Sequence, residues 1–154
     1  MKKFIISGIA ILLFLGMVPT PNIFAQGKAD KYLGKRSTCL GISKIQETKI
    51  LDDQTILFKS DMNKIYINRL PKQCSGLKIA DAFSYGTSLS RLCSVDMIRV
   101  LENDSSATST CGLGEFILLN GVKSINDAVK LLVDDGVLAD LVKENAFETA
   151  FPAE

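Results

Sequence analysis

Four cysteines set the tightest limit on what this chain can fold into. Cys39, Cys74, Cys93 and Cys111 are spaced 35, 19 and 18 residues apart, with no C-x-x-C among them. Structural zinc sites usually draw their thiolates in close pairs, because one tight turn then presents two ligands to the ion. These spacings favour two disulfides over a four-cysteine zinc site, and no thioredoxin-like redox motif is present. Four cysteines can pair in three ways, and spacing alone does not choose between them. The expectation carried forward joins Cys74 to Cys93, closing a central loop, and Cys39 to Cys111, tying the first strand to the last. Under the chain-entropy model, bridges of such spans stabilise by roughly 3 to 4.5 kcal/mol each.

Disulfides need an oxidising compartment, and the N-terminus supplies a route to one. Lys2 and Lys3 form a basic start, residues 4–18 are almost wholly apolar, and Pro19 and Pro21 end any helix. Ala25 is a small residue suited to the position before a cleavage site, although Ile23 is bulkier than usual two residues earlier. The expectation is a signal peptide over 1–25 and a periplasmic or secreted product, with an uncleaved anchor as the alternative. About fifteen apolar residues fall short of the roughly twenty that span a bilayer. No cysteine lies near the cut, which argues against a lipid anchor, and no later segment has membrane length.

Cleavage leaves 129 residues, enough for one domain with its own core. It also removes two lysines, leaving 16 basic against 17 acidic residues. A near-neutral surface without a basic run offers no footprint for nucleic acid or anionic lipid. The chain has no histidine, so Ser-His-Asp and Cys-His nucleophiles, His-ligated zinc and H-E-x-x-H sites are excluded. Carboxylate pairs, Ser-Lys dyads and tyrosine chemistry remain formally open, without a spacing signature for any of them.

Residues 26–37 are polar, basic and glycine-containing, and read as a flexible leader. The disulfide-linked β domain is expected over 38–121. Apolar alternation or β-branched runs occur at 38–43, 50–51, 55–59, 64–70, 96–101 and 113–119, while 74–93 reads as irregular structure with room for one short strand. Asp52-Asp53-Gln54 and residues 60–63 punctuate them as turns. The serine- and threonine-rich stretch 102–110 reads as a loop. This pattern predicts a mainly β fold: a small curled sheet or barrel of five to six strands, with a short C-terminal helical segment. The tail, 122–154, changes period. Ser124 with Asp127 resembles a capping box, and Ile125, Ala128, Val129 and Leu132 share one helical face. Val137, Leu138, Leu141 and Val142 fall on the opposite face of a continuous helix. A break at Gly136, giving two short helices that meet one surface, is the simpler account; a single helix covered on both sides is the alternative.

The order Cys39-Leu40, Ile45, Asp52-Asp53-Gln54-Thr55-Ile56-Leu57-Phe58, Tyr66-Ile67-Asn68-Arg69-Leu70 and Cys74-Ser75-Gly76-Leu77 resembles a proteobacterial family of small exported four-cysteine proteins. Phe83-Ser84-Tyr85, Leu92-Cys93, Asp96-Met97-Ile98 and Cys111-Gly112-Leu113-Gly114 continue the likeness over roughly 38–119. That family is catalogued as a domain of unknown function. The resemblance implies a periplasmic or secreted bacterial protein and carries no activity, ligand or catalytic residue.

Individual residues weigh towards structural roles. Asp52 and Asp53 could form a carboxylate pair, but adjacent strand residues point to opposite faces and the triplet is an ordinary turn. Asp96, between a cysteine and an apolar strand, reads as a backbone cap. Tyr66 and Tyr85, with Phe58, Phe83 and Phe116, read as core aromatics more than as a ligand site. Gly112 and Gly114 read as turn or bulge glycines. Asn103-Asp104-Ser105 matches the N-glycosylation pattern, which matters only in a eukaryotic secretory route. No catalytic, cofactor or metal residues are assigned. The functional expectation is a non-enzymatic module binding an envelope protein, or self-associating, through its C-terminal helices. The alternative is a histidine-free envelope hydrolase or lyase using carboxylates such as Asp53 and Asp96.

Overall fold

A computed structural model describes residues 30–87, 90–101 and 107–143. The signal-like segment 1–25 lies outside the described residues, as does the glycosylation-like triplet at Asn103, Asp104 and Ser105. The chain is mainly β. Strands β1 (Leu33–Ser37), β2 (Cys39–Gly41), β3 (Ile45–Asp52), β4 (Thr55–Ser60) and β5 (Lys64–Arg69) precede a single helical turn, α1 (Leu77–Ala80). Then come β6 (Phe83–Tyr85), β7 (Arg91–Cys93), β8 (Met97–Leu101), β9 (Ala107–Gly112) and β10 (Phe116–Leu119). The C-terminal part comprises α2 (Ile125–Val129), a π-helical turn (Lys130–Asp134) and α3 (Val137–Lys143).

A five-stranded antiparallel sheet, ordered β1-β10-β5-β4-β3, is the centre of the fold. Beside it stand a three-stranded sheet, β6-β8-β9, and the two-stranded pair β2-β7. No sheet closes on itself, so the barrel alternative gives way to an open sheet covered on both faces. The reason lies in β4 and β5. Ile56 and Phe58 enter one core with Leu40, Leu92, Ile98 and Val100, which come from the small sheets. Leu57, Ile65 and Ile67 enter a second core with Ile125, Ala128, Leu132 and Leu141, which come from the C-terminal helices. A strand apolar on both faces needs two covers, and it reads in sequence as an unbroken apolar run instead of an alternation.

Turn chemistry sets the central hairpins. The Asp52 carboxylate accepts the Gln54 N–H at 2.7 Å, closing the β3–β4 turn as its composition predicts. The β4–β5 turn is less expected. Met62 and Asn63 both have positive φ, 56° and 54°, and the Lys64 N–H donates to the Asp61 carbonyl. Two left-handed central residues define the hairpin turn that normally selects Asn-Gly. Met62 has neither the short polar side chain nor the missing Cβ that relieves this conformation, and it is 73% exposed. Met62→Asn is therefore expected to raise stability by about 1 kcal/mol, read as a higher urea midpoint at unchanged slope. An unchanged or lower midpoint would show that Met62 makes a compensating contact.

Several segments differ from the sequence expectation, among them 45–49 and 91–93, which form strand within β3 and β7. Residues 33–37, read as the end of a flexible leader, form edge strand β1: its backbone pairs with β10, and Leu33 packs on the second core. Residues 107–110, read with the polar loop, belong with Cys111 and Gly112 to β9, paired with β8 at Met97–Gly112, Ile98–Cys111 and Arg99–Thr110. The last strand begins at Phe116, not at Leu113, because the chain at Gly114 turns in against β5.

The disulfides join Cys39 to Cys93 and Cys74 to Cys111. All four cysteines are paired, and the expected partners, Cys74 with Cys93 and Cys39 with Cys111, are corrected. The first strand does reach the last, but as β1 on β10 through hydrogen bonds. Cys39, on β2, is thereby left to face β7. The C-terminal helices behave as the sequence indicates. The Ser124 hydroxyl accepts the Asp127 N–H at 3.1 Å. Gly136, at φ 74°, breaks the path, and both apolar sets apart from Val142 pack on the second core. The π turn, marked by the Asp135 N–H donating to the Lys130 carbonyl at 2.9 Å, has no sequence signature.

Candidate functional site

The turn between β3 and β4 is a junction for the segment that follows β5. Its Asp53 carbonyl accepts the Cys74 N–H at 2.7 Å, and its Asp53 carboxylate accepts the Lys78 N–H at 2.7 Å, capping α1. The Gln54 carbonyl accepts the Leu70 N–H, and the Gln54 side-chain amide donates to the Leu70 carbonyl, both at 2.8 Å. Arg69 spreads its guanidinium over this turn, donating to Thr55 Oγ1 at 2.9 Å and Gln54 Oε1 at 3.1 Å. A planar, multi-donor cation suits such a task better than lysine would.

Beside the junction the C-terminal helices leave an open groove of about 530 Å³. Leu51 and Asp52 from the end of β3 and Arg69 from the end of β5 form one wall. Leu132 and Val133 of the π turn, Gly136, and Leu138, Ala139 and Val142 of α3 form the other. The left-handed Gly136 directs α3 back across the sheet, so that Leu141 is fully buried in the second core while Val142 faces the groove at 38% exposure. Val133 is 52% exposed although its neighbour Leu132 is buried. The groove is thus apolar along its length, with one cation and one carboxylate at one end. That composition suits an apolar segment carrying a polar or charged terminus better than it suits reaction chemistry. A smaller cavity of about 180 Å³, between Thr48, Ile50 and Phe83, is bordered by the Lys49–Asp81 ion pair at 3.4 Å.

Of the polar and aromatic residues weighed as sites in the sequence, Asp52 alone lines this groove; Leu132, Gly136, Leu138 and Val142, named there as the faces and the break of the helical tail, line it as well. Asp53 serves the α1 cap. Asp96 accepts the Cys93 N–H at 2.7 Å through its carboxylate and the Leu113 N–H at 3.0 Å through its carbonyl, pinning the β7–β8 turn. Asp53 and Asp96 belong to different turns and neither lines the groove. Tyr66, Phe83 and Tyr85 pack against the first core, where Phe58 stands edge-on to Phe83 and Phe116 at 6.3 and 5.3 Å between ring centroids. Among the described residues, no three His, Cys, Asp or Glu side chains are grouped to hold a metal ion. No helix among them is long and apolar enough to cross a membrane.

Sequence reasoning missed Leu51, Arg69 and Val133 as groove residues. A signal for Val133 exists, since the tail carries more apolar residues than one helical face needs. Arg69 has none, because its position beside the groove follows from the β5 register. Comparison with family models, curated proteins and solved structures finds no match to this chain.

Proposed function

We infer that this protein is an exported, non-enzymatic binding module of the bacterial envelope, and that the groove along α3 receives an apolar segment of an envelope protein. The observation that carries this reading is the exposure of Val133 and Val142 on a groove whose buried neighbours, Leu132 and Leu141, already cover the second core. Apolar side chains in excess of what the core uses, gathered in one concavity, are the usual mark of an interaction surface. Arg69 and Asp52 would orient the bound segment at the groove's end. The carboxylates available for a hydrolytic alternative, Asp53 and Asp96, each act as acceptors for backbone amides, which favours scaffold roles for both. Two disulfides suit a periplasmic or secreted location, as do the signal-like N-terminus and the resemblance to exported four-cysteine proteins.

The test compares the mature chain with a Val133→Glu/Val142→Glu variant, by cross-linking in periplasmic extract and by sedimentation of the purified protein. The expected result is a cross-linked envelope protein whose affinity falls at least tenfold, about 1.4 kcal/mol, in a variant of unchanged melting temperature. Equal capture by both forms would overturn the reading. A wild-type protein that sediments as a groove-dependent dimer would assign the surface to a second copy instead.

A further inference from the structure

The two disulfides occupy different environments. Cys74 is fully buried, and the partly buried Cys111 packs against the first core. Their Cα atoms lie 5.8 Å apart, in the middle of the usual range. Cys39 and Cys93 are both partly buried, so that neither end of this bridge is enclosed as Cys74 is, and they lie directly opposite each other on β2 and β7. The ladder around them fixes what kind of pair they form. The Ser94 N–H donates to the Thr38 carbonyl at 2.8 Å, and the Ile42 N–H donates to the Ser90 carbonyl at 3.1 Å. Hydrogen-bonded pairs alternate along an antiparallel ladder, so Cys39 and Cys93 occupy a non-hydrogen-bonded position. Local partners agree: the Cys39 carbonyl accepts the Ser37 hydroxyl at 2.8 Å, and the Cys93 N–H donates to Asp96. Such positions hold Cα atoms about 4.5 Å apart, whereas here the separation is 4.0 Å. The covalent bond draws the strands closer than their own ladder sets, and below the usual disulfide range.

We propose that Cys39–Cys93 is a reducible disulfide, a substrate for a thioredoxin-like dithiol reductant, whose opening releases β2 from β7 while Cys74–Cys111 holds the rest of the fold. A thiolate of the reductant bonds to one of the two sulfurs, the Cys39–Cys93 bond breaks, and its electron pair leaves on the other sulfur as a thiolate. The second thiol of the reductant then resolves the mixed disulfide. Two electrons and two protons thereby pass from the dithiol to the protein, and the reductant is left as a disulfide. Partial exposure admits the attacking thiol, and relief of the close approach favours the open product. The strands joined here are only three residues long, so little backbone pairing remains once the bridge is cut. Release would uncover Leu40 and Leu92, which sit beneath the pair in the first core. This device is independent of the groove along α3.

The exported chain, equilibrated across ratios of oxidised to reduced dithiothreitol, quenched in acid and mapped by differential alkylation, tests the proposal. Cys39 and Cys93 are expected to be labelled together, with an equilibrium constant for reduction at least tenfold larger than that of Cys74–Cys111, a gap of about 30 mV for a two-electron couple. Hydrogen exchange on the singly reduced form should show the Ile42 and Ser94 amides opened while those of β4 and β5 stay protected. Simultaneous reduction of both bridges, or prior reduction of Cys74–Cys111, would overturn the proposal. A Cys39→Ser/Cys93→Ser variant separates this from general fragility: it should keep the five-stranded sheet protected, and its global unfolding would also refute the switch.

Discussion

Gly114→Ala is expected to cost about 3 kcal/mol, near the upper end for inserting one methyl group into a packed site. A Cβ built on Gly114 would land far inside van der Waals contact of the Arg69 carbonyl oxygen, and close to its carbonyl carbon. A clash with a flexible side chain could be relieved by a rotamer change, but this one is with backbone. Arg69 is paired with Thr55 across the β4–β5 ladder, and its side chain is tied to Thr55 and Gln54, so it has no room to retreat. Gly114 cannot move away either. The fully buried Asn68 side chain donates to the Gly114 carbonyl at 2.7 Å and accepts the Gly114 N–H at 3.0 Å, acting as a substitute ladder partner where β10 has not yet begun. Asn68→Ala, which removes both bonds and leaves two backbone groups without them, should cost about 2 kcal/mol by the same reasoning. Urea unfolding of the oxidised protein measures both. A Gly114→Ala midpoint within about 0.5 kcal/mol of the parent would mean that β5 and the 113–115 connection can separate, contrary to the clamp.

That clamp also shows where sequence reading stops. Gly114 is recognisable as a turn glycine, and Asn68 is a visible polar interruption in an apolar strand. Their partnership, spanning 46 residues, is a product of strand register. Features set by neighbours in the chain were legible: the Asp52 turn, the Ser124 cap, the break at Gly136 and the unbroken apolar run of β4. Features set by pairing across the fold were not. β9 is built largely of serine and threonine, so its strand character comes from the β8 edge it joins and from the disulfide at Cys111. β1 carries the glycine and charges of a leader, and becomes a strand only because β10 offers it an open edge. With residues 33–37 read as leader, the first expected strand is the one carrying Cys39, and it stands where β1 lies beside the last strand. The cysteine pairing failed for that reason. The groove depends in the same way on where α3 crosses the ends of β3 and β5, which helical periodicity alone does not specify.

The largest effect is expected from Cys74→Ala/Cys111→Ala. The bridge spans 37 residues, for which the chain-entropy model gives about 4 kcal/mol. A domain of this size has a total stability of about 5–15 kcal/mol, so the loss is a large part of the whole. Burial adds to it, since Cys74 is fully enclosed and its truncation opens space in the first core beside Leu77. Cys74 also fixes the chain where it leaves the Asp53 junction, and Cys111 fixes β9, which otherwise contributes few apolar side chains. The melting temperature should fall by roughly 15 °C, and the β9 amides should lose protection before those of β5. Loop length alone would rank the two bridges the other way, because Cys39–Cys93 spans 54 residues. Calorimetry on both double-alanine variants decides between the two accounts. A smaller loss on removing Cys39–Cys93 is the expected result, since its native state gains from releasing the 4.0 Å approach. A larger loss there would mean that unfolded-chain entropy outweighs burial and native geometry in this protein.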